Sequence, residues 1–119
     1  MRLAADPETA RWLEALGGRS EDFEWDSGNR SKNLKHGVKS ENVEAILHHP
    51  VLFAGRIVEP SHEERRWLVL GMDDAERPLA LVFTRRGERV RPISCRKMRN
   101  KERALYEEAI ARNTSPPKG

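Results

Sequence analysis

Nine cations fall within nineteen residues: Arg85, Arg86, Arg89, Arg91, Arg96, Lys97, Arg99, Lys101 and Arg103. Only Glu88 and Glu102 oppose them, so the segment carries +7 while the whole chain carries +3. Charge focused in this way attracts a polyanion. RNA is a polyanion that brings its own nucleophile, because its 2′-hydroxyl can attack the adjacent phosphorus. An enzyme then has to supply only a base, a proton donor and fixed cations for the pentacovalent phosphate, with no metal. Arginine suits the last task, since its guanidinium is always charged and can hold two phosphate oxygens at once. Arg91 and Arg96 bracket the end of an apolar, alternating run, and Arg66 opens another, which makes these three the phosphate-clamping candidates.

For proton transfer the sequence offers His36, Glu102 and Tyr106. A histidine with a reference pKa near 6.5 serves as acid or base. Glu102 and Tyr106, four apart, share one helix face. Beside so many cations Glu102 stays ionised, free to act as base or to hold an arginine in place. Lys35, Arg86, Arg89, Lys97 and Tyr106 are the candidates for contacting RNA outside the reacting phosphate. Each residue also has a plainer reading. His36, just before Gly37, sits where a histidine interacts with the last carbonyls of a helix. Glu102 favours the first turn of a helix for the same dipole reason, and Tyr106 continues into Ile110 as a core position.

Other chemistries lack support. His48 and His49 point about 100° apart on a helix, and neither a Cys-x-x-Cys nor a His-Glu-x-x-His motif accompanies them or His62, so no metal is expected. No Walker or Gly-x-Gly-x-x-Gly motif calls for a nucleotide, and the expected cofactor set is empty. The single cysteine, Cys95, excludes an internal disulfide and fits a reducing, cytoplasmic setting. No run approaches the roughly 20 apolar residues of a membrane span, so no membrane partner is expected.

At 119 residues there is room for one modest core. The elements that must position the candidates form an α+β pattern. Met1–Ser20 reads as an appended, separable helix with Asp6 as N-cap and Pro7 at its first position, ended by Gly17 and Gly18. From Met1 to Asp26 seven acids outnumber three arginines, leaving −4, opposite in sign to the basic segment. Phe23-Glu24-Trp25 predicts a short first strand. A helix capped by Asp26 or Ser27 follows, with Asn29, Asn33 and His36 on one polar face, and then a helix over Glu41–His48 capped by Ser40. Four strands come next, Leu52–Val58, Arg66–Met72, Leu79–Thr84 and Glu88–Cys95, with connections short enough for an antiparallel meander. Pro92 belongs at an edge or bulge, because it cannot donate to a ladder. Asn100 caps a last helix to about Arg112, and Asn113–Gly119 is a frayed tail. The domain division is therefore 1–20, 21–112 and 113–119.

Several stretches carry a resemblance in their order and spacing. They are Phe23-Glu24-Trp25-Asp26, Asn29–Asn33 running into Lys35-His36-Gly37-Val38, Glu64-x-Arg66-Trp67 with Gly71, Val82-Phe83-Thr84, and Val90–Arg96 with Glu102 and Tyr106. Together they resemble the BrnT family of toxins from about Phe23 to Ala109, and His36 is the only histidine within that pattern. The resemblance implies a RelE-like ribonuclease fold and a ribonuclease toxin that inhibits translation. It also implies a partner encoded by the adjacent gene, a BrnA-like DNA-binding antitoxin that blocks the toxin in a heterotetramer. The residues by themselves leave two alternatives open, a non-catalytic RNA- or DNA-binding module with a basic sheet face, and a protein whose basic face grips an acidic peptide.

Overall fold

Apolar residues alternating between turn residues build the sheet. The computed structural model describes the backbone of residues 1–114 and the side chains of residues 1–112. Five antiparallel strands lie side by side in chain order: β1 (Arg2–Ala4), β2 (Leu52–Glu59), β3 (Trp67–Met72), β4 (Pro78–Arg86) and β5 (Arg89–Lys97). The described helices are α1 (Pro7–Glu14), α2 (Ser27–Leu34), α3 (Ser40–Ile46) and α4 (Asn100–Thr114), with a 3-10 turn at Ser20–Asp22. The chain is thus α+β, and the expected meander is present with slightly shifted ends.

Successive strand residues point to opposite faces. Trp67, Val69, Leu81, Phe83 and Cys95 gather on one face beneath Leu13 of α1 and Val43 and Ile46 of α3. Leu68, Leu70, Ala80 and Val82 point the other way and pack with Tyr106 of α4. A fully buried side chain such as Phe83 contributes about 2–3 kcal/mol, so both faces hold the sheet between helices. Gly71 lets α3 approach closely, since a Cβ there would stand 2.7 Å from Ile46 Cγ2.

The short first strand is not where the sequence puts it. Phe23 forms only one isolated parallel bridge, to Val90, because Asp26 caps α2 immediately afterwards and turns the chain away. The strand is instead Arg2–Ala4, and Leu3 lies on it rather than on a helix. It pairs with Arg56, Ile57 and Glu59 of β2, and the neighbouring Gly55, with a φ of 138° and no Cβ, lets it lie close; a Cβ there would meet Ala4 O at 2.7 Å. Met1–Ser20 is accordingly not a separable helix. Asp6 does cap α1, accepting the Thr9 N–H at 3.2 Å, but it also accepts the Trp67 Nε1–H at 2.8 Å, and Leu13 is 2% exposed.

The polar face predicted for α2 is largely internal. Asn29 Nδ2 donates to Glu24 O and Pro92 O, each at 3.0 Å, and Asn33 Oδ1 accepts the Cys95 N–H at 2.9 Å. Both asparagines are buried, and they tie α2 to the outer edge of β5. Pro92 sits on that edge strand beside a register shift between Val82 and Phe83, as a residue without an N–H must. Helix α3 starts at Ser40, so Lys39 rather than Ser40 is its cap. Helix α4 starts at Asn100, which leaves Arg99 in the capping position, with its N–H donating to Glu102 Oε1 at 2.8 Å. It continues past Arg112 to Thr114, and residues 115–119 of the expected tail lie outside the described residues. Among the described residues no helix is long and apolar enough to cross a membrane.

Candidate active site

Arg66 precedes β3 and stays extended because its carbonyl accepts the Ile57 N–H at 2.8 Å. Alternation turns its side chain away from buried Trp67, to the face that carries α4. One step beyond the Trp67–Phe83 pair, Arg66 comes alongside Thr84, and Thr84 pairs with Arg91 of β5. Two strand spacings, about 10 Å between backbones, therefore separate Arg66 from Arg91, with buried Thr84 between them donating to Arg65 O at 2.8 Å. The Arg66 guanidinium makes no ion pair among the described residues, and its Nε is buried without a hydrogen-bond partner.

Three other arginines on this face are held, while Arg89, two residues before Arg91 on β5, is exposed and makes no ion pair among the described residues. Arg91 donates to Glu24 Oε1 at 3.2 Å and to Asp26 Oδ2 at 2.8 Å. Arg86 meets Glu64 at 2.9 Å and Glu24 at 3.6 Å. The acidic N-terminal stretch thus reaches the basic segment through Glu24 and Asp26. Arg96 lies on the same face opposite Ala80, four residues along β4 from Thr84, or about 13 Å. Its two Nη atoms make a bidentate pair with Glu102, at 2.7 and 2.9 Å.

The remaining predicted residues do not join this row. His36 and Lys35 are exposed in the turn after α2, at the far side of the β5 edge, where Gly37 O accepts from Arg77 at 3.1 Å. Arg89 and Lys97 are exposed at the two ends of β5. Tyr106 is 4% exposed and donates to Pro50 O at 3.0 Å, so it packs α4 on the sheet instead of meeting solvent, and burial raises its pKa. Burial likewise pushes the Cys95 thiol up to about 12, which leaves it inert. His48 and His49 are engaged with Gly18 O and Asp74, each at 2.7 Å. Glu24 and Asp26, read from sequence as strand, helix cap and negative charge, were not foreseen as partners of Arg91, although both lie in the Phe23–Asp26 motif.

With this geometry in hand, the family comparison is decisive: residues 25–102 match the family described as ribonuclease toxin, BrnT, of type II toxin-antitoxin system. The chain belongs to the BrnT family. A search of curated proteins found no match. The matched span contains Arg66, Arg86, Arg91, Arg96 and Glu102, and excludes β1, α1 and Tyr106. Membership in BrnT makes this a ribonuclease toxin of a toxin–antitoxin pair, with RNA as target and an antitoxin protein as partner.

Within the BrnT domain Glu102 is one of the carboxyls whose contribution to stability is lost in acid. Burial alone would raise its carboxyl, but the hydrogen bonds from Arg96 and the Arg99 N–H, with the charges of both arginines, outweigh that and hold its pKa below the usual range. A carboxyl depressed in the folded state contributes stability that is fully present above its unfolded value of about 4.3 and is lost as pH falls through the folded value. Glu102→Gln should therefore unfold at lower urea than the parent at pH 7, with the gap closing below about pH 4. A gap that stays constant between pH 7 and pH 3 would show that the ion pair adds nothing to stability.

Proposed function

We propose that this toxin is a metal-independent endoribonuclease that cuts single-stranded RNA by attack of the RNA's own 2′-hydroxyl, thereby stopping translation in the cytoplasm when antitoxin is absent. The observation that carries the reading is the Arg66 guanidinium, buried at Nε without a partner. Leaving such a donor unsatisfied costs about 1–3 kcal/mol, which a bound phosphate oxygen would relieve. Arg91, across Thr84, is steered by Glu24 and Asp26 and supplies the second cation of the clamp. Glu24, partly exposed and hydrogen-bonded to Arg91, is the nearby carboxylate suited to take the 2′-hydroxyl proton as the 2′-oxygen bonds to phosphorus and the bond to the 5′-oxygen breaks, the 5′-oxygen leaving with a proton from solvent water. Arg96, positioned by Glu102, extends the cationic track for the neighbouring phosphate, and Arg86, Arg89, Lys97, Lys35 and His36 contact the strand farther out. The antitoxin is read as BrnA-like and DNA-binding, in a heterotetramer.

The test incubates purified protein with single-stranded RNA in EDTA and reads the ends formed. The expected products carry a 2′,3′-cyclic phosphate, and DNA is bound but not cut. RNA that is bound yet left intact, both free and on translating ribosomes, would establish the binding-module alternative. Cleavage that requires added divalent metal would refute the arginine-centred mechanism.

A further inference from the structure

Four large apolar side chains stand in solvent among the described residues, and three of them share one place. Met1 is 59% exposed, Leu3 37% and Leu105 57%. They wall a groove of about 500 Å³ between β1 and the first two turns of α4, floored by Leu68 and Leu70. Isolated apolar residues on a surface need no explanation, but a contiguous cluster rimmed by polar groups marks a binding surface. The rim is cationic. Arg99 and Lys101 line the groove, and neither side chain makes an ion pair among the described residues. The one acid beside them, Glu102, is committed to Arg96.

We propose that this groove docks an amphipathic helix of the antitoxin, whose apolar stripe fills it and whose acidic residues meet Arg99 and Lys101. The proposal rests on the toxin–antitoxin reading and adds where the partner binds. Charge complementarity selects this occupant. A second copy related by a two-fold axis would bring the same cationic rim toward itself, and RNA would find no aromatic side chain among the lining residues on which to stack a base. A helix is about 10 Å across and would continue the layer that α4 begins on this face. The groove also explains inhibition. Leu68 and Arg66 are two residues apart and share a face, about 7 Å from each other, so an occupant lies directly beside the unpartnered guanidinium. Met1, Leu3 and Leu105 fall outside residues 25–102 matched to the family, and Leu68, Leu70, Arg99 and Lys101 fall within them.

The experiment measures binding of the antitoxin encoded by the neighbouring gene to the full-length toxin by calorimetry. Leu3→Glu combined with Leu105→Glu should weaken it roughly 100-fold or more, the loss expected for two apolar anchors. RNA cleavage by the free variant should stay at the parent rate, which also shows that it has folded, and antitoxin should no longer suppress it. Arg99→Glu with Lys101→Glu should weaken binding as well, and the conservative Leu3→Met with Leu105→Met should not. Unchanged affinity in the double glutamate variant overturns the groove while leaving the partner intact. A parent toxin that does not bind the antitoxin at all overturns the partner reading itself. A parent dimer in sedimentation that the glutamate variant dissociates would assign the groove to a second copy and overturn the proposal.

Discussion

Arg66→Ala should lower RNA cleavage by roughly 10²-fold or more, the usual loss when one transition-state charge partner is removed. RNA affinity should fall far less, because the neighbouring cations still neutralise the backbone. Stability should not fall, since no ion pair or side-chain hydrogen bond of Arg66 is broken and a buried donor without a partner is removed, relieving up to about 1–3 kcal/mol less the lost packing of its stem. That combination sets Arg66 apart from the other arginines. Arg91→Ala frees Glu24 and Asp26 from their shared cation, and Arg96→Ala unties Glu102 of α4 from β5, so those variants lose activity and stability together. The measurement pairs single-turnover cleavage with fluorescence anisotropy at one fixed salt concentration. An Arg66→Ala protein that cleaves at the parent rate would remove this residue from the chemistry.

The second large effect is on folding. Asn33→Ala deletes the acceptor for the buried Cys95 N–H and leaves a small cavity where helix and sheet meet. Orphaning a buried donor costs about 1–3 kcal/mol, offset in part because the change also removes Asn33 Nδ2, itself buried without a partner, while the cavity adds to the loss. For a chain of this size a loss near 2–3 kcal/mol corresponds to roughly 10 °C in melting temperature. Asn33→Asp keeps the acceptor but places a charge in a site with no exposure, and it should do no better at neutral pH. Calorimetric melting of both variants decides the point. A melting temperature within a degree or two of the parent would mean that the β5 edge does not depend on this side chain.

What could be read from residues alone followed how local the cause was. The meander was legible because β2 to β5 alternate between turn residues a few positions apart, and Asp6 and Asp26 announced their helices by the chemistry of capping. Strand β1 was not, because three residues carry no periodicity and their partners, Arg56, Ile57 and Glu59, lie more than fifty residues away in the chain. Phe23-Glu24-Trp25 alternates like a strand, yet a helix starts too soon afterwards for more than one bridge. In the site, Arg66 and Arg91 were identifiable as cations in the right motifs. The freedom of Arg66 was not, because it depends on where the acids go: Glu64, two residues before it, turns to Arg86, and Glu24 and Asp26 turn to Arg91. Tyr106 and Glu102 sit on the same helix, and only packing decides that one faces the sheet and the other holds Arg96.

The asparagine stitching of β5 also bears on how the chain survives its own synthesis. The last strand of a sheet ordinarily emerges with a row of unpaired amides and carbonyls, ready to join another chain. Here Val90 O, Pro92 O and the Cys95 N–H are met by Glu24 N, Asn29 and Asn33. Those groups belong to a segment translated some sixty residues earlier, so the partner is already made when β5 leaves the ribosome. A cell accumulating this protein gains protection against edge-to-edge aggregation on that side, and among the described residues the open border of the sheet lies at its other edge, along β1 and residues 52–54 of β2, which β1 does not reach.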